Sequence, residues 1–404
     1  MKPNKHQPAP FFSPQFARAR RLLPWTCLLL FLALPASVSL RAQANLEEVS
    51  VGNYPTELTV NTVTNKVYVV NRTDGTVSVI DGASNGATTV KVGNNPKALA
   101  VNPVTNKVYV VNSGDDTISV IDGASNNDTT LPLRIKTPIA IAVNTVTNKI
   151  YVVNETYISQ TTSGYYAQMV SVIDGASNAI TYLPCGGDGA FIAMAMNMVT
   201  NKVYIAYESY RFRENNAYVW VIDGTTNTFT LVTVGAINAM AINPATNKIY
   251  VANSGTVSVI DGASNNVTTL PQIGKAPTAI AVNPVTNKIY VVIDNPPGFS
   301  PADYGTVSVI DGVSNGVTTV TVGKWPRAVT VNPVTNKVYV ANSGDDTISV
   351  IDGTSNCVTT FPTGIISISV NLGNNPVAVN SVTNKVYVVN DRRNTVSVIN
   401  GGKP

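Results

Sequence analysis

Histidine is all but absent: the 404 residues contain one, His6, and it stands in an N-terminal segment read below as removable. Without an imidazole a chain cannot run a Ser-His-Asp or Cys-His mechanism, ligate haem through His, or build the usual His-containing catalytic zinc site. Charge is sparse as well, at 12% Asp, Glu, Lys and Arg. That scarcity suits sheets whose two faces are both covered, because Val, Ile and Tyr then occupy positions that a one-sided sheet would make polar. Helical periodicity is missing too. From Glu47 onward, short Val-rich or alternating runs are broken by Asn, Gly, Pro and Asp, the pattern of strands and turns.

What the chain has is repetition. The motif Asn-x-Val/Ala-Thr-Asn-Lys-Val/Ile-Tyr begins at Asn61, Asn102, Asn144, Asn197, Asn243, Asn283, Asn332 and Asn380. A second motif, Val-Ile-Asp-Gly, places its acid at Asp81, Asp122, Asp174, Asp223, Asp261, Asp311 and Asp352, with Asn400 in the last copy. Copies are spaced 40 to 53 residues apart, the period of a four-stranded propeller blade. In the second copy the strands are expected at residues 98–102 (A), 107–112 (B), 117–122 (C) and 129–133 (D). Pro and Asn shape the A–B turn, and Asp-Gly followed by Ser-Asn or Thr-Asn shapes the C–D turn.

In the fifth copy the B–C link shrinks to Ser254-Gly255, so B and C are antiparallel neighbours, and Lys248 falls opposite Asp261. The repeated Lys and Asp are therefore expected as a cross-strand ion pair, the acid also capping its turn, rather than as a catalytic ring. The eighth copy stops after strand C, whereas residues 48–51 resemble a strand D. The N-terminal strand is expected to complete the last blade and close the ring. The fold class is thus all-β, a single propeller over residues 45–404. Cys185 and Cys357 fall in the third and seventh copies, opposite one another in a ring of eight, which excludes a disulfide between them. Both are read as small apolar residues.

Residues 1–44 carry a polar lead, Arg18, Arg20 and Arg21, an apolar run over residues 22–40, and Ala42-Gln43-Ala44. That order reads as a secretory signal peptide cut after Ala44, with an uncleaved anchor as the alternative. Pro24 and Pro35 interrupt the run and favour cleavage. Removing the six basic residues of this segment leaves 21 bases against 23 acids, a net charge of −2, so the basic balance belongs to the precursor. An exported protein follows, extracellular, on the cell surface or periplasmic, without a transmembrane segment after cleavage and without a basic footprint for nucleic acid.

The run Asn-Lys-Val-Tyr-Val-Val-Asn and the following Ser-Val-Ile-Asp-Gly resemble the YVTN family of β-propeller repeats of secreted and cell-surface proteins. The resemblance covers the chain after residue 44 and implies a propeller of seven or eight blades; counting copies gives eight. It supports the fold more than any activity.

The A–B and C–D turns share one face of such a ring and hardly vary between copies. The B–C and D–A loops share the other and vary in length and composition, which places a localised function there. Three B–C loops are long. Residues 155–168 carry Tyr157, Tyr165 and Tyr166; residues 208–217 carry Tyr210, Arg211, Phe212 and Arg213; residues 294–305 carry Phe299 and Tyr304. The D–A loop between the sixth and seventh copies adds Lys324, Trp325 and Arg327. Aromatic and Arg side chains combine large area with polar edges, the chemistry of protein and glycan contact surfaces. The expected function is a non-enzymatic, monomeric scaffold for a protein or glycan partner, with no cofactor and no metal. The alternative is a lactonase-like or metal-assisted hydrolase with carboxylates such as Asp188, Asp294 or Glu208 at the channel mouth. The Asp115-Asp116 and Asp345-Asp346 hairpins lack the spacing of a calcium motif.

Overall fold

A computed structural model describes residues 46–158, 165–209, 217–270, 272–294, 304–363 and 376–401, with backbone alone for 156–158, 165–168, 185–188 and 209. The expected signal peptide, residues 1–44, lies outside the described residues. Within them the protein is all-β and forms eight blades of four antiparallel strands. Blade 2 shows the plan: A is Pro96–Asn102, B is Lys107–Asn112, C is Thr117–Asp122 and D is Asp128–Pro132. Strand A begins two residues before the sequence suggests, and D one residue before. Strands A of successive blades meet around the axis, and the last meets the first. Strand D lies outermost and is mostly exposed.

Closure occurs as the copy count requires. Leu46–Ser50 pairs antiparallel with Thr395–Asn400, Leu46 opposite Ile399 and Ser50 opposite Thr395, so the first strand is the D strand of blade 8. No blade edge is left open there. One irregularity stands out. Ile180–Asn197 runs unbroken as strand D of blade 3 and strand A of blade 4, joining the two blades into one seven-stranded sheet.

Between blades the core is a set of similar layers. Tyr68, Val70, Val77 and Val79 of blade 1 pack on Leu99, Val108 and Val110 of blade 2, all buried. Val67, Val69 and Leu58 pack the other way, on Tyr387, Val389 and Val396 of blade 8. Successive residues of a strand thus serve opposite interfaces, which is why strands B read as continuous apolar runs.

Polar groups lock this stack on the invariant face. Asn61 is fully buried; its Oδ1 accepts the Val63 and Thr64 amides, and its Nδ2 donates to Asn106 Oδ1 of the next blade at 3.0 Å. The same bond recurs from Asn102 to Asn148, Asn144 to Asn201, Asn197 to Asn247, Asn243 to Asn287, Asn283 to Asn336, Asn332 to Asn384 and Asn380 back to Asn65, at 2.6 to 3.0 Å. Each acceptor Asn holds a left-handed backbone, φ 51 to 57°, which Asn tolerates better than most residues. The Gly of Val-Ile-Asp-Gly is explained by the same belt. A Cβ on Gly123 would lie 2.3 Å from Asn106 Oδ1 and 2.7 Å from its carbonyl oxygen, so a side chain there would push the acceptor out of place.

The register sets Lys66 opposite Asp81, Lys107 opposite Asp122 and Lys248 opposite Asp261. The expected ion pair does not form: among the described residues no repeated Lys and Asp close to ion-pair distance. Instead Lys66 Nζ donates to Gly123 O of the next blade at 2.5 Å, Lys149 to Gly224 O at 2.7 Å, and Lys385 to Gly82 O at 2.6 Å across the closure. The ammonium does better with a buried-edge carbonyl it can reach than with an acid already occupied. Asp81 Oδ1 accepts the Ala83 amide, the Ser84 amide and the Ser84 hydroxyl, and these bonds hold the carboxyl below its ordinary pKa. A second correction concerns Cys357, which is disulfide-bonded rather than a free small residue.

Replacing Asn102 by Ala leaves the Val104 and Thr105 amides and Asn148 Oδ1 without their partner, at a cost of about 1–3 kcal/mol. The thermal midpoint of the Asn102→Ala variant should fall accordingly. Ala at the exposed C–D turn residue Asn127, which takes no part in the belt, should change it by no more than about 0.5 kcal/mol.

Candidate site on the variable face

The sixth and seventh blades bring together the one cluster of expected contact residues that the structure describes in full. Strand D of blade 6 runs through Lys324 (Val317–Lys324) and strand A of blade 7 starts at Pro326 (Pro326–Asn332). Only Trp325 is left as a loop, whereas Lys324 and Arg327 sit on strands. Tyr304, exposed, lies opposite Lys324, whose Nζ is 5.7 Å from the ring centroid, a cation–π distance. Arg327 pairs with Asp294 at 3.2 Å across the blade boundary.

Trp325 is held where a bulky residue is least at ease. Its φ is +49°, yet the indole is 39% exposed. The backbone is fixed from blade 7: the Trp325 carbonyl accepts the Ser343 amide at 2.9 Å and its hydroxyl at 3.1 Å, and the Lys324 amide donates to Asp345 Oδ2 at 3.0 Å. Gly344 is what lets the indole lie down, since a Cβ there would be 2.9 Å from Trp325 Cγ. Asn95, Thr137 and Ala276 hold the same left-handed position before a Pro in blades 2, 3 and 6, and Tyr54 holds it in blade 1. Tyr54 is also exposed and was not anticipated as a contact residue. Comparison of the copies at the residue preceding each Pro would have found it.

The remaining expectations fare differently. The supposed loop over residues 155–168 is mostly hairpin: Lys149–Ile158 pairs with Tyr165–Asp174, Tyr157 opposite Tyr166 and Ile158 opposite Tyr165. The extra length of this connection reads as loop, but Tyr and Thr are also good strand formers. In blade 4, Glu208 still pairs with Ala217, and Tyr210, Arg211, Phe212 and Arg213 lie outside the described residues, as does Phe299. Asp115 and Asp345 are clamps for the D–A backbone. Asp115 accepts the Asn94 amide at 2.8 Å, as Asp345 accepts that of Lys324.

Lys97 feels both Arg72 and Glu155; burial lowers its pKa, while Glu155 acts against that shift. Burial raises Glu155 in turn, opposed by the Phe191 amide and Lys97. Glu57 has no such company. It is 5% exposed, no hydrogen bond reaches its Oε2, and burial alone pushes its carboxyl well above the ordinary range. By register it stands where blades 2 to 7 have Ala98, Ala140, Ala193, Ala239, Ala279 and Ala328. The adjacent Thr56 hydroxyl is also buried and unbonded, although Thr278 at the same bulge of blade 6 donates to Pro326 O at 3.0 Å. The copies differ visibly here in sequence, and that departure is the signal that marks Glu57.

The hydrolase alternative asked for a carboxylate cluster. Among the described residues no three His, Cys, Asp or Glu side chains converge, and Asp294 is committed to Arg327.

No protein-family model and no curated protein matches the chain. Solved structures do. Hydrazine synthase from Kuenenia stuttgartiensis is similar at 14% identity and TM-score 0.57, over 87% of this chain and 97% of that one. A functionally unknown protein from Desulfotomaculum acetoxidans DSM 771 is similar at 13% identity and TM-score 0.54, over 77% and 98%. The β-propeller domain of Myceliophteria thermophila Cps50 (Swd1) is similar at 9% identity and TM-score 0.54, over 88% and 99%. Identities this low speak for the propeller fold alone.

Glu57→Ala should stabilise the protein by about 1–3 kcal/mol near neutral pH, because an unpartnered buried polar group is removed. The sign of the pH dependence follows from the raised folded pKa. The folded state keeps the proton that the unfolded state releases near pH ~4.3, so stability declines as pH rises above that value, by about 1.4 kcal/mol per unit at most. Thermal midpoints of the two proteins should therefore coincide most closely near pH 4 and diverge toward pH 8.

Proposed function

We propose that the chain is an exported YVTN-type propeller, cut after Ala44, that serves as a non-enzymatic scaffold for a protein or glycan partner. The partner binds the ridge made by Tyr304, Lys324, Trp325 and Arg327. The observation that carries this reading is Trp325. A large aromatic in a left-handed backbone costs of order 1–3 kcal/mol, and nothing in the ring requires it, since Asn, Thr or Ala serves in other blades. A strained, exposed Trp laid flat on a glycine, flanked by a Tyr–Lys stack and a half-exposed Arg, has the composition of a binding hot spot. The aromatic and Arg residues that the sequence carries within and between strands B and C of blades 3, 4 and 6, Tyr157, Tyr165, Tyr166, Tyr210, Arg211, Phe212, Arg213 and Phe299, extend the reading.

The test compares wild type with Trp325→Asn and Arg327→Ala on a glycan array and on envelope extract, the latter with and without protease treatment. Trp325→Asn should bind at least tenfold more weakly while melting at a higher temperature, since Asn relieves the strain. Loss of signal on protease treatment identifies a protein partner, and persistence a glycan. Unchanged binding by Trp325→Asn would remove the ridge from the account.

A further inference from the structure

The opposite face carries a feature that its turn chemistry does not explain. Each A–B turn presents one apolar side chain to solvent: Val63, Val104, Val146, Val199, Val285, Val334 and Val382 are 67% to 75% exposed, and the fifth copy has exposed Ala245. The turn uses only the backbone of that residue, whose amide donates to the side chain of the Asn two residues before. Ala245 makes the same bond to Asn243 at 3.1 Å, so a β-branched residue is not needed to form the turn. Turn positions ordinarily favour polar or small residues.

These side chains form a collar in the sense that they recur on successive turns of one ring. Neighbouring turns are tied by the Asn61 to Asn106 bond and its equivalents, and Thr145 Oγ1 lies 3.2 Å from Met198 Sδ of the next turn. On the order of 100 Å² of each Val is open, so seven together approach the ~800 Å² that one partner contributes to a standard interface.

The charges on this face decide which occupant fits. Seven of the eight repeated Lys, all but Lys248, are seen donating to a glycine carbonyl of the next blade, and the seven repeated Asp are bound into their own turns. Eight bases against seven acids give no one-signed field, so an anionic surface gains no footprint and two identical faces suffer little repulsion. We propose that the Val collar is a self-association surface on which a second copy of this chain docks face to face, about a twofold axis perpendicular to the ring axis. This departs from the monomer expected from sequence. A closed ring needs no partner to be stable, but the collar has apolar area left over. Both aromatic ridges then point outward at opposite ends of the pair, where each meets a separate partner.

Sedimentation or light scattering on the purified protein tests the proposal, comparing wild type with the triple variant Val63→Asp, Val146→Asp, Val285→Asp. Three changes are used because the near-repeating collar offers several rotational registers. All three side chains are exposed in the single chain, so the variant should keep the far-UV circular dichroism of the wild type. The expected result is a dimer mass for wild type, half that mass for the triple variant, and a dimer for the control Leu231→Asp on the outer edge of blade 4. A wild type that stays monomeric, or a triple variant that keeps the wild-type mass, overturns the proposal. Neither outcome touches the ridge, whose test reads binding by Trp325 on the opposite face.

Discussion

The structure depends on one hydrogen bond repeated around a circle, the donation from a fully buried Asn amide to the Asn of the next A–B turn. Apolar packing between blades supplies more free energy, but it is indifferent to small rotations and slips. The amide is not. Its oxygen is used by its own turn and its nitrogen by its neighbour, so the bond forms only when successive turns sit in one relative position. The bond from Asn380 to Asn65 makes the condition circular, and the Lys385 to Gly82 bond repeats it a strand further out. Blade count and wedge angle are thereby coupled to a bond length, and Leu46–Ser50 fills the remaining edge.

This constraint consumes the polar side chains of one face. Seven of the eight repeated Lys, the seven repeated Asp and the eight belt Asn are engaged within the ring, which leaves the Val side chains exposed. The other face is held more loosely, by acids that clamp the D–A backbone in individual blades, such as Asp74, Asp115 and Asp345. Because these clamps act one blade at a time, a D–A residue can change without disturbing its neighbours. Trp325 and Tyr54 occupy that freedom.

The repeat made the fold legible. Two short motifs, counted and spaced, were enough for the blade number, the strand order, the Lys–Asp register and the closing strand, because each rests on a periodic pattern that eight copies state eight times. Destinations of side chains were less legible. The Lys lies opposite the Asp as expected, but whether it bonds that acid or the next blade depends on wedge angle, which no single copy encodes. The length of the hairpin at residues 155–168 was misjudged because its Tyr and Thr residues suit strand and loop alike. Glu57 and Tyr54 were legible in principle, as departures of one copy from the rest, since irregular residues in a regular array carry the information that the array does not.

That last point bears on function. In an array built by repetition, a residue required by the fold recurs, and a residue that does not recur must be tolerated or used. Tolerance is credible for an exposed polar side chain. It is harder to credit for Glu57, a buried carboxyl without a partner where six blades manage with Ala, or for Trp325, an indole in a backbone region that other blades give to Asn, Thr and Ala. Each imposes a cost of the order of 1–3 kcal/mol on a ring that has cheaper solutions available in its own sequence. Both lie on the variable face, away from the belt, where the cost is local and does not spread from blade to blade. Departures from local consistency concentrate at functional sites for this reason: the ring is rigid enough elsewhere to hold a strained residue in place, and only the face free of the belt has room for one.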